Sequence, residues 1–307
     1  MHIHIFALGG LIVSSQQTGL LPIASSCLPL LGYLLTNRRR PVLRDEVAGL
    51  LWPDNDSEHA KHSLSTVLWR LRKSVGTCGP LVVARDEALS MNWQATRWVD
   101  AIALERRIEP LVRKAPASLS EFEIARIERG IRLYRGDYLI GIDREWALVE
   151  RQRLRNLYLD GLYSLLLARA ARRDWPRAIV TGCRLVAEEP LREDVHRLLM
   201  QAYAAAGNRG KVVEQYKLCR AVLAAELAIE PMEETKELFL DLTGGPAPNR
   251  IAVREAKQPL DARQHIARAE RLLRLCRGHL QRAREMLPAD RDLPMRGAGR
   301  LAPPSDE

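Results

Sequence analysis

The stretch Arg44–Gly76, RDEVAGLLWPDNDSEHAKHSLSTVLWRLRKSVG, constrains this chain more than any other. It divides into a short helix over Asp45–Trp52, a breaker at Pro53-Asp54-Asn55-Asp56, and a longer helix. Asp56 or Ser57 caps the longer helix and Gly76 stops it. Along it Ala60, Leu64, Val67, Leu68, Leu71 and Val75 recur at helical spacing and share one face. At about 100° per residue, His59, His62, Thr66, Trp69, Arg70 and Lys73 fall on the opposite side, and Arg72 on a flank. This is the outline of a helix-turn-helix whose second helix lies on DNA. Arg and Lys can grip guanine edges or phosphates, and Thr can bond a base edge or touch a thymine methyl. An ordinary amphipathic helix with a solvated basic face has the same pattern, so the flanking segments have to decide.

On the N-terminal side, His2–Val13 is rich in Ile, Leu and Val around Gly9-Gly10 and predicts one or two short strands with a bend. Ser14–Gly19 is turn-like. Ser25 or Ser26 is placed to cap a helix running to about Thr36, with Pro29 in its first turn. On the C-terminal side, Leu81–Ala84 and Leu89–Trp93 flank Arg85-Asp86-Glu87-Ala88, a hairpin signal with Arg85 at its tip. A hairpin after a helix-turn-helix makes a winged helix. A purely structural hairpin would read the same way.

From Trp98 onward the pattern is almost wholly helical. Helices are expected over Trp98–Glu109, Ser120–Tyr134 and Arg144–Arg172, with a looser connection over Pro110–Leu119. DWPRAIVTGCRLVAEEP from Asp174 and NRGKVVEQYKLCRAVLAAE from Asn208 lie 34 residues apart, so Ala178 meets Val212 and Leu185 meets Cys219. A helix–turn–helix period of that length is the tetratricopeptide signature. Such pairs stack into concave surfaces that bind peptides or helices. Beyond Gly244-Gly245-Pro246-Ala247-Pro248, Ala262–Leu287 predicts one more Arg-rich helix, and Pro288–Glu307 a disordered tail. The fold class is therefore mainly α. An N-terminal winged helix (α+β, 1–95) precedes an all-α TPR-like repeat domain (96–243) and a terminal region (244–307).

The formal charge of +9 suits a polyanionic partner, although part of it comes from the C-terminal arginines. Five cysteines without a C-x-x-C pair point to reduced core thiols rather than a disulfide framework or zinc knuckle. His2/His4 and His59/His62 lack the Cys or carboxylate that would complete a tetrahedral set, so no metal and no cofactor is expected. Residues 1–37 hold no Lys, Arg, Asp or Glu, but the apolar run Leu20–Leu35 is 16 residues with two prolines. That falls short of the about 20 a bilayer span needs. No Ser/His/Asp, Cys/His or paired-carboxylate set stands at a Gly-rich turn, which argues against an enzyme.

In this order, the segments resemble the bacterial SARP-type regulators, which join an OmpR/PhoB-like winged helix to a bacterial transcriptional activation domain. FALGGLIV resembles the family's opening strand, and LLGYLLTNRRRPVLRDEVAGLLWPD its first two helices. AKHSLSTVLWRLRKSVG resembles the recognition helix. WVDAIALE, YRGDYL, WALVERQRLR, EEPLREDVHRLLMQAYAAAGNR and ELAIEP resemble segments of the activation domain. Each phrase is weak alone, but the five of the second domain are in register over about 150 residues, and the resemblance covers about residues 3–243.

The resemblance implies a cytoplasmic, nucleoid-associated transcriptional activator that binds promoter direct repeats in double-stranded DNA as a homo-oligomer, with no membrane partner. It carries Thr66, Arg70, Arg72 and Lys73 over as DNA contacts, with Lys61 near a phosphate and Arg85 on the wing. Pro53, Asp54, Asn55 and Asp56 correspond to the loop that can face RNA polymerase holoenzyme. His62 stands where a smaller polar residue is common, and Trp69 where Ser or Arg is common. Both lie on the DNA side and bear on which bases are read; Trp69 has the alternative of packing against a neighbouring subunit. The competing reading is a TPR-like protein-interaction adaptor with a degenerate DNA-binding domain, which would bind protein without salt sensitivity.

Overall fold

A computed structural model describes residues 2–16 and 18–244 of the chain. The expected linker beyond Gly244, the Arg-rich helix Ala262–Leu287 and the tail Pro288–Glu307 lie outside the described residues. The chain divides into two compact units, one formed by 2–110 with 126–158, the other by 111–125 with 159–244.

The first unit opens with strands β1 (Ile3–Phe6), β2 (Ile12–Ser15) and β3 (Gly19–Leu20). Helix α1 (Leu28–Thr36), β4 (Val42–Leu43), α2 (Arg44–Leu51) and α3 (Ser57–Val75) follow. The hairpin β5 (Val82–Arg85) and β6 (Ala88–Met91) leads into β7 (Thr96–Val99) and α4 (Asp100–Val112). Two sheets result, ordered β3-β2-β1-β7 and β4-β6-β5, with β1 and β7 parallel and the other pairs antiparallel. The fold is mainly α with a winged helix at its N-terminus, as the segment order predicts.

The charge-free N-terminal segment is explained by burial. Leu30, Leu31, Gly32, Tyr33, Leu34 and Leu35 of α1 are all buried, and no described helix is long and apolar enough to cross a membrane. The expected serine cap of α1 is corrected. A 3-10 turn over Ser25–Cys27 precedes the helix, and neither end of the join uses a side-chain cap. Ser26 instead accepts a hydrogen bond from Arg70.

Strand β1 is anchored from two sides. At the start of α4, the Asp100 carboxylate accepts from the Ala7 amide at 2.7 Å, the Leu8 amide at 3.1 Å and the Ala101 amide at 2.7 Å. The turn after α5 (Glu121–Ile131) runs alongside. Gly9 donates to the Asp137 carbonyl at 3.0 Å and Leu139 to the Ala7 carbonyl at 2.8 Å. A Cβ on Gly136 would sit 3.1 Å from Gly9 Cα, so this backbone approach requires glycine. Arg135 lies over the Phe6 ring, 4.8 Å from its centroid, and 3.8 Å from Asp100.

Two further expectations are corrected. Trp98 is not helical: it lies in β7 and packs edge-on against Phe6, ring centroids 5.2 Å apart. Pairing with β1, far away in sequence, overrides the local helical pattern. Pro110, expected to open a loop, lies inside α4. Proline supplies no N–H to the carbonyl four residues earlier, and the Arg126 guanidinium donates to that Arg106 carbonyl instead.

Helices α4, α5 and α6 (Glu145–Ala171) contribute residues to both units. The rest of the second unit is α7 (Trp175–Glu188), α8 (Glu193–Ala205), α9 (Arg209–Glu226) and α10 (Glu233–Thr243). The internal repeat is exact in its caps. Asp174 accepts from the Arg177 amide and Asn208 from the Lys211 amide. The residues just before them, Arg173 and Gly207, both have positive φ, at 57° and 74°. Ala178, Val212, Leu185 and Cys219, paired by the offset, are all fully buried. Close helix approach is set by Gly182, where a Cβ would meet Leu199 Cδ2 at 2.7 Å. Cys27, Cys78, Cys183 and Cys219 are buried thiols, and burial pushes the Cys219 thiol up to about 12.

Candidate nucleic-acid interface

Helix α3 starts where the sequence expects. The Asp56 side chain accepts the His59 amide at 2.9 Å and satisfies one of the open N–H groups of the first turn. That backbone bond, then the His59 ring 2.8 Å away, hold the Asp56 carboxyl below its ordinary range. Asp54, Asp56 and Glu58 thus gather at the positive end of the helix dipole, while Arg72 and Lys73 occupy its last turn.

Ala60, Leu64, Val67, Leu71 and Val75 are buried, at 1–4 % exposure. Leu68 departs from the expected stripe. It is half-buried and lines a narrow hollow with Arg44, Arg72 and residues of the hairpin strand β5. Away from the stripe, Lys61, His62, Trp69, Arg70, Arg72 and Lys73 are exposed and Thr66 is half-buried. Trp69 is 60 % exposed, unusual for an indole. The helix therefore presents one continuous surface with His62, Thr66, Trp69 and Lys73 along its middle. By helical geometry Arg70 and Arg72 sit on opposite flanks of that surface.

Their local contacts differ. Arg70 donates to Ser26 Oγ at 3.3 Å, and Lys61 lies 3.4 Å from Asp45. Lys73 Nζ stands 5.1 Å from the Trp69 ring centroid, which orients the indole along the helix. Arg72 has no carboxylate partner among the described residues. All these contacts are exposed, so a phosphate can replace them at little cost.

The hairpin requires a correction. Arg85 is the last residue of β5, paired with Ala88, and the tip is Asp86-Glu87. Asp86 takes φ of 51° to close the two-residue turn, so the tip carries carboxylates and the guanidinium sits one step down the strand. The loop residues Pro53, Asp54, Asn55 and Asp56 are exposed. Pro53, Asp54 and Asn55 line a cleft of about 590 Å³ with Ser26, His62, Thr66 and Arg70. Sequence reasoning treated this loop and the helix face as separate features; the fold makes them neighbours. It also missed Ser26 and Arg44, which reach α3 from other elements. Arg44 donates to Ser65 Oγ at 3.4 Å. No spacing within α3 could reveal either.

Among the described residues no three His, Cys, Asp or Glu side chains converge as metal ligands. His59 is engaged with Asp56, and burial holds the His4 ring below its ordinary value.

Residues 99–242 match the family described as bacterial transcriptional activator domain. Over 214 residues, 68 % of this chain, it is 27 % identical to Regulatory protein AfsR of Streptomyces coelicolor. Over 111 residues, 34 % of this chain, it is 37 % identical to Transcriptional regulator RedD of the same organism. The matched stretches span 21 % of AfsR and 30 % of RedD. A solved structure of Mycobacterium tuberculosis EmbR, in complex with a low affinity phosphopeptide, is similar with a TM-score of 0.61. It covers 94 % of this chain and 72 % of that one at 20 % identity, a likeness of fold.

Proposed function

We propose that this chain, whose residues 99–242 match the bacterial transcriptional activator domain and which is similar to AfsR and RedD, is a SARP-type transcriptional regulator in which α3 reads promoter DNA and the helical unit activates transcription from it. One observation carries this reading. A single helix buries five aliphatic residues on one side and exposes Lys61, His62, Trp69, Arg70, Arg72 and Lys73 elsewhere. A solvated face has no need of an exposed indole, whereas a major-groove reader uses an apolar group against thymine methyls beside cations on guanine or phosphate.

In this reading His62, Thr66 and Trp69 face base edges. Arg70 and Arg72 grip the two walls of the groove, Lys61 and Lys73 meet phosphates, and Arg85 meets backbone from the hairpin strand. The acidic tip Asp86-Glu87 stays off the phosphates. Two copies bind direct repeats side by side in the cytoplasm, at the nucleoid. The exposed loop Pro53–Asp56 offers RNA polymerase a surface beside the bound groove.

Footprinting of the purified chain on genomic DNA tests this. The expected result is protected direct repeats whose affinity falls steeply with salt, by about 0.9 in log–log slope for each phosphate contact. Absence of discrete protected sites, or binding insensitive to salt, would favour the adaptor reading instead.

A further inference from the structure

Away from α3, the first unit contains a cleft of about 570 Å³ between the edge strand β7 and helices α4 and α5. Arg97, Arg106, Arg107 and Arg126 line it between Trp93 and Trp98, and no Asp or Glu does. Four guanidiniums around one concavity repel each other, and low-dielectric walls focus their field onto any anion that enters. Glu105 and Glu109 line the adjoining hollow with Arg106 and Arg126, but Glu105 is already engaged by Arg38 and Arg153 together with Glu150. Arg97 and Arg106 have no carboxylate partner among the described residues. Arg126 is held in place by its bond to the Arg106 carbonyl, made available by Pro110.

The walls add two more observations. Thr96, 5 % exposed, has a hydroxyl with no hydrogen-bond partner among the described residues, and the buried Trp98 Nε1 also lacks one. Buried donors without acceptors are uncommon and concentrate at functional sites. Trp93 is 42 % exposed, so one of its faces is free to stack on a planar ring.

The geometry points to this cleft as a binding site for a nucleoside phosphate. The arginines hold the phosphate oxygens in paired, charge-assisted hydrogen bonds, and the Trp93 indole stacks on the base. The volume is that of a small-molecule pocket, whereas a duplex backbone calls for an open track rather than a concavity. Because α3 supplies no residue to it, the site stands independently of the DNA reading and would make the regulator responsive to a small anionic ligand.

The test is titration of the full chain with ATP, GTP and inorganic phosphate, followed by indole fluorescence and calorimetry. We expect saturable nucleotide binding with quenching. Arg97→Glu with Arg106→Glu, both exposed positions, should weaken that binding by about tenfold or more. Trp93→Ala should weaken nucleotide binding while leaving the response to inorganic phosphate unchanged. Circular dichroism and promoter binding should match the parent in every variant. The inference is overturned if no nucleotide saturates, if inorganic phosphate binds as tightly as nucleotides, or if the charge reversal leaves nucleotide affinity intact. It is equally overturned if the reversal weakens only duplex DNA, which would make the cleft part of a nucleic-acid surface.

Discussion

Removing the Asp100 carboxylate should unfasten β1. Ala7 and Leu8 are 0 % and 2 % exposed, and their amides point at Asp100. After Asp100→Ala neither donor can reach water. An unsatisfied buried donor costs about 1–3 kcal/mol, so the pair costs roughly 2–6 kcal/mol. One effect runs the other way. Burial raises the Asp100 carboxyl above its ordinary range against the pull of the three amides and Arg135, so the parent bears a desolvation cost that the variant escapes. The net loss should therefore be about 1–4 kcal/mol, a large share of the 5–15 kcal/mol typical of a domain. Asp100→Asn keeps one acceptor oxygen and should fall between. Denaturant unfolding followed by indole fluorescence is the assay, because Trp52, Trp69, Trp93, Trp98 and Trp146 all lie in this unit. Asp143→Ala, which removes only an exposed partner of Arg151, is the control and should cost under about 0.5 kcal/mol. If Asp100→Ala costs no more than that control, the β1 amides have other acceptors and the anchoring argument fails.

Other outcomes follow from the same structure. In the second unit, Gly182→Ala pushes a Cβ to 2.7 Å from Leu199 Cδ2 and should destabilise by about 1–3 kcal/mol. Gly49→Ala, at an exposed position of α2, meets nothing within 4 Å and should stabilise by about 0.5–1 kcal/mol; thermal melts of both variants check the pair. His196 is fully buried. Its Nδ1 accepts from the Gln215 amide at 2.7 Å and its Nε2 donates to the Pro190 carbonyl at 3.0 Å, which fixes the neutral ring. Burial holds its pKa below the ordinary value despite the pull of the Pro190 carbonyl, Glu193 and Asp194. The unfolded chain therefore takes up the proton first. Stability is complete above about pH 6.5 and falls by up to about 1.4 kcal/mol per pH unit below it, until the folded pKa is reached. Unfolding curves from pH 7.5 to 5 should show a shallower slope for His196→Asn, and equal slopes would contradict the assignment.

The parts legible in the sequence are those whose determinants are local. The α3 stripe, its Asp56 cap and the 34-residue repeat all rest on spacings within a few turns or on caps written in one residue. Where determinants are distant, local reasoning fails. Trp98 reads as helical until β1 pairs with β7, and Pro110 reads as a break until Arg126 replaces its missing N–H. Arg85 misses the tip because hairpin register, not composition, decides which two residues turn. The neighbours of the α3 face suffer the same limit. Ser26 contacts Arg70 from 44 residues away, a relation no periodicity encodes.

The central claim is that the α3 face, not merely the charge of the chain, reads DNA. Its most direct test is the affinity of Arg70→Ala with Arg72→Ala for a footprinted site. Both side chains are exposed and outside the buried stripe, so circular dichroism should be unchanged. Losing two base or phosphate contacts at about 1–3 kcal/mol each should weaken specific binding on the order of thirtyfold to ten-thousandfold. Unchanged affinity and an unchanged footprint in the double variant would contradict the account.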